Sequence, residues 1–383
     1  MRFTKLHLFF LLCFFYSQAN SQIQTPVFIS GTEGHATYRI PAIVVLPNHT
    51  LLAFAEGRVK GSNDFGDINI VLKRSKDNGK TWSAIETIVD YGNLQAGNCA
   101  PVLDNLDPRY PGGRLFLFYN TGNVSEWDIR NGKGQREVWY ITSVDDGVTW
   151  STPTNITQQV KPLDKDWRAY ANTPGHAFQI PSGKWKGRIV IPANHSEGVP
   201  KNNYTDYFSH IYFSDDHGDH FSAGEKLPFA GSNEATATYL TNDRILLNAR
   251  NQMGAPRARI IGISKDGGEH WDSVYIDNQL PDPVCEGTVL TVGLKNKKSV
   301  LAFCNPADTQ QRNKLTLRLS DSEGVTWNKY WTIDSTQDKK SDYTAYSDIV
   351  LLNKNKLAIL FEKDNYKKIV FTQINLKKNI SNK

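Results

Sequence analysis

Charged side chains set into otherwise apolar, strand-like sequence are the first sign of chemistry in this chain. Arg39 lies in Tyr38-Arg39-Ile40-Pro41 at the head of an apolar run, and a second apolar run ends near Arg58. A polar loop then carries Asp64 and Asp67 before a third strand-like stretch begins at Ile68. Far along the chain Glu362 follows Leu360 and Phe361, and a carboxylate in that setting needs a partner. A fixed guanidinium presents a planar fork that grips a carboxylate through two parallel hydrogen bonds. A loop carboxyl that keeps its proton near working pH can act as a general acid. Together these groups suit a small anionic ligand. Taken singly, each is also what a surface arginine or a solvated carboxylate looks like.

The formal net charge of +5 is spread over 383 residues with no basic run. That balance suits an anionic small substrate and disfavours nucleic acid. Nine Trp, many Tyr, Val, Ile and Thr, and Gly throughout favour β structure. Residues 1–21 read as an export signal: Arg2 and Lys5 are basic, Leu6 to Tyr16 is apolar, and Ala19-Asn20-Ser21 offers small residues for cleavage before Gln22. The apolar run falls short of the roughly 20 residues that span a bilayer, and no later segment reaches that length. The product would be periplasmic, cell-surface or secreted. Cys13 lies in the leader; Cys99, Cys285 and Cys304 remain, an odd number that argues against a disulfide scaffold. Cys285 and Cys304 either pair across neighbouring strands or stay buried thiols. No Cys/His spacing suggests a metal site. Neither a linker nor an amphipathic helix interrupts residues 22–383, which read as one domain.

The elements that must position the charged groups are marked by a repeated turn. It reads Ser75-x-Asp77-x-Gly79-x-Thr81-Trp82, then Ser143 to Trp150, Ser214 to Phe221, Ser264 to Trp271 and Ser320 to Trp327. The third copy has His220-Phe221 for Thr-Trp, and the fifth has Ser322 for Asp. The Asp can accept backbone N–H bonds across the turn, Gly takes the positive-φ position, and the aromatic packs beneath. Each copy follows a strand-like run. Calcium loops are a poorer reading, because single Asp residues lack flanking ligands. The spacing, roughly 50 to 70 residues, is that of a four-stranded propeller blade plus a loop.

Tyr-Arg-Ile-Pro followed by five Asp-box turns resembles the exo-α-sialidase family, across nearly all of the chain beyond the leader. The resemblance implies an all-β, six-bladed β-propeller, with one blade lacking the box and the strands near Val27 to Ser30 and Ile369 to Ile374 closing the ring. It implies that Arg39, Arg250 (in Leu246-Leu-Asn-Ala-Arg250) and Arg312 (in Asp308-Thr-Gln-Gln-Arg312) bind the sugar's carboxylate. Arg257 and Arg259 compete for the second place. Asp64 matches the acid that protonates the leaving oxygen, with Asp67 as rival, and Arg58 matches an arginine at the substrate. Tyr346, in Tyr346-Ser347-Asp348, matches the nucleophile and Glu234 its partner base; Tyr343 is the local rival. A neutral phenol avoids the repulsion that a carboxylate nucleophile would meet from the substrate's own carboxylate. Glu362 resembles the carboxylate that holds Arg39. Asn98, in Gly97-Asn98-Cys99, either touches the sugar or makes a plain turn, and His176 supports the site or is structural.

The function so implied is exo-hydrolysis of terminal α-linked sialic acids from glycoconjugates, with net retention and no metal or organic cofactor. Transfer to another sugar and a non-catalytic sialoglycan-binding propeller are the alternatives, and oligomeric state is not legible.

Overall fold

The computed structural model describes residues 23–162, 166–338 and 342–376; the export signal expected over residues 1–21 lies outside them. Among the described residues the hydrogen-bonded strands form five sheets. The eight-stranded sheet divides at a single parallel pair, Ile68 with Gln95, into two antiparallel sets. Six antiparallel units result. Their first strands are Thr37–Val45, Gln95–Asp104, Trp167–Asn172, Ser232–Leu240, Thr288–Lys295 and Thr344–Asn353; these contact one another in cyclic order, except that the third unit meets the fourth through its next strand, Ile189–Glu197.

The apolar core lies between units, not within them. Leu52, Phe54, Ile70 and Leu72 of the first unit pack on Leu115, Leu117 and Tyr119 of the second. The alternate residues Leu51, Ala53, Ala55 and Val71 pack on Leu360, Ile369 and Phe371 of the sixth. A strand covered on both faces has no solvent side, which is why Leu51–Arg58 is buried at every position and reads as a continuous apolar run. Four further clusters fill the second-to-third, third-to-fourth, fourth-to-fifth and fifth-to-sixth seams. The sixth unit takes its outer strand from the start of the chain: Thr25–Ile29 pairs antiparallel with Lys368–Asn375. The result is a closed six-unit propeller with no free inner edge. Two short helices, Glu126–Arg130 and Thr157–Val160, are additions that no amphipathic pattern announces. No helix among the described residues is long and apolar enough to cross a membrane.

Each Asp-box joins the third and fourth strands of its unit. In the first, Ser75 Oγ accepts from Gly79 N at 2.8 Å, while Asp77 Oδ1 accepts from Lys80 N and Thr81 N, both at 3.0 Å. In the fifth, the hydroxyl of Ser322 takes the carboxylate's place and still accepts from Thr326 N at 2.9 Å. His220 and His270 replace Thr by bonding Asp216 and Asp266 through Nδ1 at 2.7 and 2.6 Å. The glycines turn the boxes into clamps. A Cβ on Gly79 would lie 2.1 Å from Phe371, and one on Gly268 1.7 Å from Ile211, each a side chain of the preceding unit. With φ of 78° and 94°, neither position tolerates another residue. In the sixth unit the third and fourth strands are the two ends of the sheet-forming chain, so no turn joins them and no box exists there. That accounts for five boxes in six units.

Hydrogen bonds from the Thr149 hydroxyl and amide, then from Ser143, hold the Asp145 carboxyl down at about 2. Because the folded value lies below the ordinary carboxylate value of about 4, its stabilising effect is complete above that value and is lost as pH falls through about 2. The difference in thermal midpoint between wild type and Asp145→Asn is therefore expected to be largest above about pH 4 and to shrink toward pH 2. A pH-independent difference would show that the carboxylate's charge is not what holds the turn.

Candidate active site

Antiparallel alternation puts the boxes at one end of the ring and the second-to-third-strand loops at the other. At that second end the first strands are irregular: register shifts lie between Arg39 and Ala42, Gly97 and Ala100, Trp167 and Tyr170, Ser232 and Ala235, and Thr344 and Ser347. Such bulges re-aim side chains, here toward a cavity of about 420 Å³. Arg39, Arg58, Asp64, Asn98, Glu234, Arg250, Arg312 and Tyr346 all line it. The expected residues, drawn from the first, second, fourth, fifth and sixth units, meet in one place.

Arg39 is fixed from behind. Its Nε donates to Glu362 Oε1 at 2.6 Å, and that oxygen also accepts from Ile40 N at 2.9 Å. The other oxygen of Glu362 accepts from Tyr346 N at 3.2 Å. Glu362 is fully buried, so a single carboxylate ties the first unit to the sixth. Burial works against the Arg39 charge, and Glu362 more than offsets it, so the guanidinium stays protonated. Ile40 adopts φ of 57°, a left-handed conformation costly for a β-branched residue, at the bulge that aims Arg39 inward. Arg312 donates through Nη2 to Val284 O at 3.0 Å and through Nη1 to Tyr366 Oη at 3.2 Å. The Tyr366 ring lies 4.0 Å beneath the Arg39 guanidinium, so one tyrosine braces two of the arginines.

Tyr346 Oη donates to Glu234, whose two oxygens lie 2.5 and 2.7 Å away. Arg250 Nη1 reaches Glu234 Oε2 at 2.5 Å and Tyr346 Oη at 3.0 Å. The guanidinium carbons of Arg39 and Arg312 each stand 5.4 Å from the phenol ring's centre. Burial, then the Glu234 charge, pushes the Tyr346 phenol well above its ordinary value against the pull of Arg250 and Arg312. The resting phenol is neutral with a carboxylate already in position to take its proton.

Asp64 pairs with Arg58 Nη1 at 2.7 Å, while Arg58 Nη2 holds Glu56 at 2.7 Å. Asp64 stands open to solvent at the mouth, its side chain 84% exposed. The loop that carries it, residues 59–67, is short and mostly polar, with Val59 and Phe65 its only apolar side chains. Glu56 also accepts from Asn98 N at 2.9 Å, and Asn98 sits at φ of 52° in a bulge, so its side chain lines the cavity from a turn.

The rivals fall elsewhere. Arg259 is buried against Asn248, Asp282 and the Cys285 carbonyl, and Arg257, Asp67 and Tyr343 do not line the cavity. His176 holds Asp348 at 2.7 Å below the Tyr346 strand. Cys99, Cys285 and Cys304 are free and buried; burial pushes the Cys304 thiol up to about 12. Residues that sequence reasoning missed include Glu56, Tyr366, Gln95, Arg136, Asn194 and Arg130. Glu56 carried the same signal as Glu362, a carboxylate closing an apolar strand. The others carried none.

The fold and the site together define a closed propeller with an arginine and tyrosine cluster at one end. The chain belongs to the BNR repeat-like domain family, which matches residues 49–359. It is 31% identical over 315 residues to a sialidase of Micromonospora viridifaciens, covering 78% of this chain and 46% of that one. It is 27% identical over 360 residues to a sialidase of Bacteroides fragilis, covering 87% and 61%. The chain thus spans less than two thirds of either relative. A Hadza microbial sialidase has the same fold, with a TM-score of 0.78 and 23% identity over 93% of this chain and 69% of the other.

Removing Glu362 leaves a buried guanidinium and two backbone N–H groups without an acceptor. Glu362→Ala is expected to cost roughly 3–5 kcal/mol of stability by denaturant titration. An unchanged midpoint would show that Arg39 does not depend on it.

Proposed function

We propose that this protein is a retaining exo-α-sialidase acting on sialylated glycoproteins, glycolipids and oligosaccharides. The observation that carries the reading is Tyr346 Oη in contact with both Glu234 and Arg250, flanked by Arg39 and Arg312. A binding module needs the arginines but has no use for a phenol paired to a base. The sialidase relatives support the same reading.

In the proposed cycle Arg39, Arg250 and Arg312 bind the substrate carboxylate and fix the anomeric carbon over Tyr346. Tyr346 Oη attacks that carbon as Glu234 takes the phenolic proton. The glycosidic C–O bond breaks, and Asp64 gives its proton to the departing oxygen. The exposed position of Asp64 makes the aglycone part of the site, since the departing group itself must cover the acid. Asp64 then takes a proton from water, whose oxygen displaces Tyr346, and Glu234 returns the proton to the phenol. Two inversions give retention. Where a sugar hydroxyl takes the water's place the product is a transferred sialoside, so transfer differs only in the acceptor.

Release of 4-methylumbelliferone from its N-acetyl or deaminated α-sialoside is expected for the wild type, with the α-anomer of the free sugar appearing first by NMR. Tyr346→Phe is expected to lose at least about 10²-fold in kcat/KM. Full activity in that variant would remove Tyr346 from the chemistry, and absence of turnover in the wild type would leave a glycan-binding propeller.

A further inference from the structure

Arg136 stands apart among the cavity's cationic groups: it has neither a task in the cycle above nor a carboxylate partner. Arg136 begins the third strand of the second unit, is only 4% exposed and lines the cavity. Among the described residues its guanidinium makes one hydrogen bond, from Nη1 to Gln95 Oε1 at 2.8 Å. Its Nε is buried with no acceptor, and no carboxylate pairs with it. Of the other cavity arginines, Arg39, Arg58, Arg130 and Arg250 each hold a carboxylate, and Arg312 is held by the Val284 carbonyl and the Tyr366 hydroxyl. Room for Arg136 has been cleared, since a Cβ on Gly122 would lie 3.3 Å from its guanidinium carbon. An unpaired buried cation is costly, and a group kept at that cost beside a binding cavity points to a ligand oxygen.

The arrangement of the units says which oxygen. The carboxylate-binding arginines come from the first, fourth and fifth units and Tyr346 from the sixth, whereas Gln95, Arg136 and Asn194 come from the second and third, on the opposite wall. A pyranose of the sialic acid type carries its carboxylate on C2, and C5 lies directly across the ring. A sugar held with C2 over Tyr346 and its carboxylate on the three arginines would direct C5 and its substituent toward the wall that the second and third units supply. We propose that Arg136 and Gln95 form the pocket for that substituent and select one bearing a free hydroxyl, either the hydroxyl of a deaminated sugar or that of an N-glycolyl group, over N-acetyl. A hydroxyl accepts from Arg136 and donates to Gln95 or Asn194. An acetyl methyl directed at the same wall leaves those polar groups dry and unpaired, which is the condition under which sites reject an analogue lacking the hydroxyl.

This inference rests on the sialidase reading, and the test separates the two. Three 4-methylumbelliferyl α-glycosides are compared: N-acetyl, N-glycolyl and 5-hydroxy. The wild type is expected to favour at least one hydroxyl-bearing substrate over N-acetyl by about tenfold or more in kcat/KM, and whichever is favoured identifies the source of the hydroxyl. Arg136→Met is expected to bring that ratio toward one, mainly through KM, and Arg136→Lys to restore part of it. Gln95→Leu gives the same comparison from the other side of the hydrogen bond should Arg136→Met fail to fold. Turnover of all three with N-acetyl equal or preferred overturns the inference and leaves the sialidase reading intact, as does a preference that both Arg136→Met and Gln95→Leu leave unmoved. Turnover of none overturns the sialidase reading itself.

Discussion

Like charges crowded into a small cavity must be offset, and this site is organised by how that is done. Arg39, Arg58, Arg130, Arg136, Arg250 and Arg312 all line one cavity, and in a partly dehydrated space their mutual repulsion is large. The structure answers with carboxylates set mainly behind or beside the guanidiniums: Glu362 under Arg39, Glu56 under Arg58, Asp206 under Arg130 and Glu234 beside Arg250. Arg312 is held by a carbonyl and a tyrosine hydroxyl instead. The arrangement leaves donor positions free toward the cavity. It also leaves open a charge balance that an anion entering the cavity would complete.

The same logic separates the two groups to which proton transfer is assigned in the proposed cycle. Tyr346 is buried and kept neutral, with Glu234 pressed against its hydroxyl. Asp64 stands in solvent and meets the cavity through Arg58. One carrier is set by the protein in advance and the other is completed by whatever leaves.

Much of this was legible. Arg39 and Glu362 announce themselves because a charge inside an apolar strand has to be paired, and the five box turns mark the units by sequence alone. Arg250, Arg312, Glu234 and Tyr346 were reached only through family resemblance, since each sits in sequence that ordinary strands and loops also use. Tyr366 was invisible because its role depends on a left-handed turn, with φ of 63°, that brings its ring under Arg39. The bulges that turn side chains inward leave no pattern either: an added residue in a strand looks like any other residue until its partner strand is known. The loop that carries Asp64 does reach the cavity, but how open that loop stands is set by tertiary contacts.

The way each box glycine rests on the unit before it gives the ring a handed order of support. Gly147 leans on Leu52, Gly218 on Phe116, Gly268 on Ile211 and Gly324 on Leu246. The first unit alone must lean backward across the seam, through Gly79 onto Phe371, a residue made more than two hundred positions later. That seam is also where Glu362 grips Arg39 and the Tyr346 amide. The other box glycines rest on units that precede them in the chain and take no part in this seam. The arginine and tyrosine cluster is therefore assembled across the same seam that closes the ring, and the shape of the pocket depends on the two ends of the chain having met.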